Sequence, residues 1–472
     1  MKNLTPYFPE LRARCAPMGG INRARTATHS LGGLALLFGR FFPGLLVPAK
    51  KGRGSRRRQF PRSDVFWAFL GQVLWRGASC RWALSRLQVQ AVRRGYRAPP
   101  SSTSAYCQAR RALALTWLQA LFTALTQWFD GQTPGTWRGR TVRIIDGTGF
   151  SMPDTRANRG QWPYAGGQKP GCGFPTGKLV GLFCLHSGRL ITFCTGAWKD
   201  HDLPLAGRLL DRLHPGEVLL ADRAYCSWNF LALLQRRRID FVIRLHQTRL
   251  HRSRLPSWWE AWKKPQRPAG QSRRAWARLP DELLLRMVRF RVQTRGFRPK
   301  VVWIVTSLLD QTAFPDAAIA ELYAQRWQVE THYRQIKSAL ALDILRGLTP
   351  AIIERELWMH AIAYNLIRAL MLEAAVTHAV PIERLSFKGV LDAAQSWMDL
   401  AGRRHPRHAR HLLLARLAHD RVPLRPLRHE PRVRKRRPKS YSLLTRPRRL
   451  MRVARSKRLR PPYIPVALRS LS

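Results

Sequence analysis

The sequence predicts an α/β protein: a mixed sheet with helices on both faces, interrupted by an all-β insertion, with a helical domain before it and a basic tail after it. Three observations carry that expectation. Between residues 137 and 247, three apolar strand-like runs in meander are followed by alternating helix and strand. Ahead of them, from Val65 to Trp128, apolar residues recur at three- and four-residue steps. Beyond them, two more strand-like runs precede the helix-like stretch "ELYAQRWQVETHYRQIKSAL", Glu321 to Leu340.

Composition bounds the function. The chain has 472 residues, 45% hydrophobic with 17 Trp, which is ample for a sizeable core and too long for one ordinary domain, so two to four units are expected. Lys and Arg number 83 against 27 Asp and Glu, a formal charge of +56. Such a charge repels itself and is best neutralised by a polyanion, with nucleic acid foremost. The apolar run Leu31 to Leu46 is broken by Arg40 and Pro43 and is too short to cross a bilayer. A soluble, cytoplasmic, nucleoid-associated protein with no membrane partner is expected. The seven cysteines form no Cys-x-x-Cys pair or finger-like Cys/His spacing, which argues against structural zinc and a disulfide framework.

Taken in order, residues 1–60 form a basic segment ending in the turn-rich "KKGRGSRRRQFPRSD". Residues 61–136 read as a helical domain and DNA-binding candidate, its last helix capped from Ser101 to Ser104. A plain bundle explains the same pattern. Residues 137–247 hold the first part of the mixed-sheet core: strand "RTVRIID", hairpin "KLVGLFCL" and "LITFCTGAW", helix "LPLAGRLLDRL", strand "EVLLAD", helix "SWNFLALLQRRR" and strand "DFVIRLH". Residues 248–315 read as the β insertion: a polar, Trp-bearing loop and then "LLLRMVRFRVQT" and "KVVWIVTSL". Residues 316–378 supply the last core helices, and 379–472 a basic region densest at "EPRVRKRRPKSYSLL", for which phosphate contact is expected.

Three strands in meander followed by helix and strand in alternation is the element order of the ribonuclease-H-like fold. By that resemblance the fourth strand lies beside the first, which would bring Asp146 of "RIIDGTG" close to Asp222 of "LLADRAY". An acid closing an apolar strand is unfavourable unless it meets a cation. Taken singly, Asp146 reads equally well as a turn-former before Gly147, and Asp222 as a partner of Arg223.

In the helix-like stretch, Tyr323, Arg326, Glu330 and Lys337 fall within about 60° of one another around the axis at ~100° per residue. Leu322, Val329, Tyr333, Ile336 and Leu340 form an adjoining apolar stripe, so the polar face borders the core. Glu330 has Arg326 four residues before it and Arg334 four after. Salt bridges of that kind contribute only about 0.2–0.5 kcal/mol. They do not explain why Tyr, Arg, Glu and Lys share one face.

The spacing Tyr323, Arg326, Glu330, Lys337 resembles the signature of the insertion-sequence-four family of DDE transposases. "DGTGFSMPDT" and "ADRAY" look like that family's blocks for its two catalytic aspartates, and "SAYCQAR" and "RKRRPKSY" like its two ends. The likeness is strong from Arg140 to Lys337. It implies Asp146, Asp222 and Glu330 as catalytic metal ligands, with two Mg²⁺ ions as cofactor and Mn²⁺ as a substitute, suited to in-line phosphodiester displacement. It implies that Tyr323, Arg326 and Lys337 hold phosphates, with Arg334 beside them. Partners would be double-stranded DNA, both inverted-repeat ends and target, bound by a homodimer, with cut-and-paste movement through a hairpin. In relatives a flipped base stacks on a Trp. Trp303 is the nearest candidate, though one residue out of register, where a buried core Trp is expected.

Other acids and bases have more ordinary expectations. Asp200 and Asp202 precede a helix and read as caps, and Asp154 as structural or DNA-facing. Lys178 and Arg244 are candidates to line the DNA groove. Two alternatives fit the same residues: a structure-selective nuclease of the same fold, and a DNA-binding descendant that has lost the reaction.

Overall fold

The computed structural model describes residues 31–44, 60–132, 135–165, 171–246, 255–292, 300–400, 406–423 and 447. The turn-rich basic linker up to residue 59 and the run from Glu430 lie outside the described residues, while Pro61 leads into a helix that begins at Arg62.

The helical layer is larger than its periodicity predicts. Helices α1 (Leu31–Phe38), α2 (Arg62–Leu74), α3 (Cys80–Arg93), α4 (Thr103–Arg111) and α5 (Leu115–Asp130) build it. Ser79 caps α3 by accepting from the Trp82 N–H, and Ser102 caps α4 by accepting from the Ser104 N–H. The single helix expected after Ser104 is two, because Ala114 takes an extended conformation between them. Leu31, Leu34, Leu37, Phe38, Phe41 and Phe42 are buried, so α1, within the segment expected to be basic, packs into this layer. At the other end, α13 (Phe387–Leu400) and α14 (Pro406–His419) pack on α12 (Pro350–Thr377), so the described part of the region after residue 379 is largely helical. Helix α12 is buried almost throughout and touches α2, α5, α13 and α14.

The sheet has eight strands: β1 (Val142–Ser151), β2 (Thr176–Cys184), β3 (Leu190–Ala197), β4 (Val218–Ala221), β5 (Asp240–Arg244), β6 (Ser257–Lys263), β7 (Glu282–Val292) and β8 (Lys300–Thr306). Their spatial order is β3-β2-β1-β4-β5-β8-β7-β6, with β1, β4 and β5 mutually parallel and the remaining neighbours antiparallel. Alternation sends Ile144, Leu220, Val242 and Ile304 into a core shared with the helical layer, and Ile145, Ala221, Ile243 and Val305 into a second core. The second core is covered by α7 (Asp202–Gly207) and α8 (Trp228–Arg236), while the short α6 (Arg156–Gln161) follows β1.

The polar stretch expected as a loop after β5 holds β6 and a short helix, α9 (Arg273–Ala277). Its tryptophans explain why: Trp276 meets Trp228 at 5.4 Å and Trp258 meets Trp303 at 5.2 Å between ring centroids, so a segment polar by count still buries large aromatic area. Strand β8 pairs with β5, so these strands extend the central sheet.

Candidate active site

Ile144 and Leu220 are the last paired residues of β1 and β4. Asp146 and Asp222 stand two residues further along each, hence at one level and on one face. Strand β4 stops at Ala221, whereas β1 runs on beside β2 to Ser151. The sheet therefore forks at the two aspartates, at the carboxyl end of parallel strands where ligands enter open α/β sheets. Asp146 is not a turn-former: Gly147 continues the strand opposite Val180. Its Oδ1 accepts from the Gly147 N–H at 2.8 Å, and Asp222 Oδ1 accepts from the Ala224 N–H at 2.8 Å, capping a short turn. Register continues to β5, where Arg244 follows the pair Ala221 and Ile243 on the same face as the aspartates.

The third acid arrives on the helical path from α10 (Asp316–Ala324) through a tight turn, Gln325–Trp327, into α11 (Gln328–Arg334) and then a π turn, Gln335–Ala339. Leu322, Val329, Tyr333, Ile336 and Leu340 are buried as the stripe predicts. Glu330 is 42% exposed and meets Arg326 at 3.4 Å. Lys337 Nζ donates to Thr148 Oγ1 at 3.0 Å, so this lysine reaches β1 just past Asp146. Tyr333 Oη donates to the carbonyl of Asp146 at 2.5 Å and accepts from the Gly181 N–H at 3.0 Å.

These groups feel one another's charge. Burial raises the pKa of Asp146 to about 7; the Gly147 N–H opposes this, Asp222 and Glu330 add to it, and Arg326 lowers it. Burial works against the charge on Arg326, yet Tyr323, Asp146, Asp222 and Glu330 hold its pKa above the ordinary value. Burial pushes Tyr323 up, with Arg326 and Arg244 pulling down and Asp222 pushing up. Arg326 is thus the common neighbour of all three carboxylates.

Among the described residues, no three Asp, Glu, His or Cys side chains converge as a ready-made metal cage. Asp146 and Asp222 stand on adjacent strands, while the exposed Glu330 carboxylate is turned to Arg326. The donor chemistry nevertheless fits a hard divalent cation: all three groups supply carboxylate oxygen, and burial first, with Asp222 and Glu330 adding to it, raises the proton affinity of Asp146, a load that a cation beside it would relieve.

Some expected residues stand elsewhere. Trp303 requires correction as a DNA-binding residue. Ile304 lies opposite Arg244 on the aspartates' face, so its neighbour Trp303 points to the other face, where it is buried against Trp258. Trp303→Ala is expected to cost about 3–5 kcal/mol of stability by denaturant titration, with DNA affinity of the folded fraction unchanged. Lys178 also lies on that far face, paired with Asp202 at 2.8 Å. Asp202 therefore serves an ion pair rather than a cap, and Asp200 accepts from the Ala197 N–H at 2.7 Å. Asp154 accepts from Arg159 and Tyr164, each at 2.8 Å, which makes it structural. Arg334 is exposed and donates to Thr331 Oγ1 at 2.9 Å. Sequence reasoning missed Trp327, 50% exposed between Arg326 and Glu330, and the bridging role of Tyr333. A Trp on the polar side of an otherwise amphipathic stretch was the available signal for the first.

The known proteins similar to this chain are transposases. Residues 137–366, which carry β1, β4, α11 and most of α12, match the family described as Transposase DDE domain. The chain is 29% identical over 327 residues to the transposase InsG for insertion sequence element IS4 of Escherichia coli (strain K12), covering 68% of this chain and 72% of that one. It is 31% identical over 105 residues to the transposase for insertion sequence element IS231C of Bacillus thuringiensis subsp. berliner, covering 22% of this chain and 21% of that one. A cryo-EM structure of a piggyBac transposase synaptic complex with hairpin DNA overlays with a TM-score of 0.43 and 12% identity, over 82% of this chain and 85% of that one. Residues 137–366 thus carry the match to a transposase DDE domain, and over 68% of its length the chain is similar to a transposase of an insertion sequence element.

Proposed function

We propose that this transposase cleaves DNA at the inverted-repeat ends of an insertion sequence and joins the freed ends to target DNA, using a ribonuclease-H-like core extended by the β6–β8 insertion. One observation carries the proposal: β1, β4 and α11, distant in sequence, bring Asp146, Asp222 and Glu330 around Arg326. These three acids would hold the divalent ions, Mg²⁺ with Mn²⁺ as substitute. Such ions, when bound, supply the Lewis acidity that phosphodiester displacement needs.

The surrounding residues divide the remaining work. Arg326 offers a planar fork to phosphate oxygens, and its present tie to Glu330 is loose enough, at 3.4 Å on an exposed partner, to exchange for one. Lys337 and Tyr323 flank it, and Arg334 supplies charge at the exposed margin. Trp327 offers a face on which an unpaired base can stack, the role for which the resemblance made Trp303 a candidate. Trp327→Ala is expected to weaken binding to a repeat end carrying an unpaired base about 10-fold, consistent with ~1–3 kcal/mol per stacked base, with little change in melting temperature. Two copies, each holding one end, would pair the ends, and a hairpin at the flank is the proposed intermediate.

The test is a DNA fragment ending in the element's own inverted repeat. Mg²⁺ or Mn²⁺ should yield 3′-OH ends and, on a denaturing gel, a hairpin; chelation should abolish both. Cleavage that ignores the repeat and follows branched structure instead would overturn the proposal.

A further inference from the structure

We infer that Tyr333 is a positioning residue, setting where Asp146 stands relative to Glu330; the inference rests on the site proposed above. Asp146 and Gly181 face each other across β1 and β2. At that point the Tyr333 hydroxyl stands between the strands, taking the Gly181 N–H at 3.0 Å and giving its proton to the Asp146 carbonyl at 2.5 Å. The ring is buried, and the hydroxyl sits where a side chain at 181 would be: a Cβ there would lie 3.0 Å from it. Glycine at 181 is thus what admits the hydroxyl.

This link joins two of the three acids through a short path. Glu330 is one helical turn before Tyr333, and Asp146 owns the carbonyl that receives the proton. A second tie lies further along, where Lys337 reaches Thr148. Four helical residues rise ~6 Å and two strand residues ~6.6 Å, so both ties are met when α11 and its π turn run alongside β1. The helix is thereby fixed in translation against the strand, and a carboxylate on one keeps its distance from a carboxylate on the other. Displacements of ~1 Å at a reacting centre can cost 10²-fold in rate.

The test compares Tyr333→Phe with Tyr364→Phe in the full-length protein. Tyr364 is a matched control: also buried, its hydroxyl donates to the Gly188 carbonyl at 2.6 Å, at the β2–β3 turn. Single-turnover cleavage of the repeat-ended fragment, fragment affinity and melting temperature are measured for each. Tyr333→Phe should lose at least ~30-fold in rate at saturating Mg²⁺, with affinity within about 2-fold and a melting temperature near that of Tyr364→Phe, whose rate stays near wild type. Equal rates in the two variants overturn the inference. So does a Tyr333→Phe protein that fails to fold while Tyr364→Phe folds, because the hydroxyl would then hold the sheet rather than the acids. Asp222→Asn is run alongside: if it cleaves normally, the proposed site itself is wrong, whereas its inactivity with an unaffected Tyr333→Phe condemns the positioning role alone.

Discussion

Glu330→Gln is expected to lower cleavage by ~10³-fold or more while leaving binding to the repeat end intact. The substitution keeps the shape of the side chain and removes its charge. Charge stabilisation by a bound cation is worth several kcal/mol, and each 1.36 kcal/mol is tenfold in rate. Glu330 is 42% exposed and held by one arginine at 3.4 Å, so its loss leaves no buried charge unpaired and folding should be unaffected. Removing a negative charge beside Arg326 should, if anything, tighten phosphate contact. Single-turnover cleavage and gel-shift affinity measured together check this; a rate within tenfold of wild type would remove Glu330 from the reaction.

Asp146→Asn is expected to make the metal-free protein more stable above pH 7 even as it abolishes cleavage. Burial first, and the acids Asp222 and Glu330 after it, raise the Asp146 carboxyl from the ordinary 3.8 to about 7. The folded state therefore binds its proton more tightly than the unfolded chain does, and stability falls as pH rises between those values. This contribution is fully present below about pH 4 and gone above about pH 7. The gap corresponds to about 4 kcal/mol at most. Denaturant titrations at pH 5 and pH 8 should show wild type losing stability relative to Asp146→Asn, and Mg²⁺ at pH 8 should restore wild type only. A pH-independent difference between the two proteins would show that Asp146 carries no such load.

Much of this site could be read from the chain because its parts are local patterns. The two aspartates follow apolar strands, and the stripe beside Glu330 repeats at helical steps, which is information a periodicity carries. What could not be read depends on contacts between distant segments. Ala114 breaks a helix whose sequence is uniformly helical, because α4 and α5 face different partners: Tyr106 of α4 donates to Gln72 at 2.6 Å, whereas α5 lies along α12. The strand and helix after β5 were hidden by polar composition, since Trp258, Trp262 and Trp276 there, like Trp303 in β8, pack into the second core, which no local pattern reveals. Strand parity placed Trp303 correctly on the buried side, and only the likeness to relatives pulled it toward DNA. The Tyr333 hydroxyl was invisible because a tyrosine in an apolar stripe reads as core until its hydrogen-bond partners are known.

Helix α12 occupies the middle of a layer whose other main members, α2 to α5, end at Asp130. During synthesis those early helices emerge more than two hundred residues before the element they enclose. Chains grow at ~5–20 residues per second, so the first helical hairpins wait on the order of ten seconds or longer for their central partner. The acid on α11 appears only shortly before it. A nascent chain therefore presents its early helices while it still lacks Glu330, and the three carboxylates coexist only once α11 has been made.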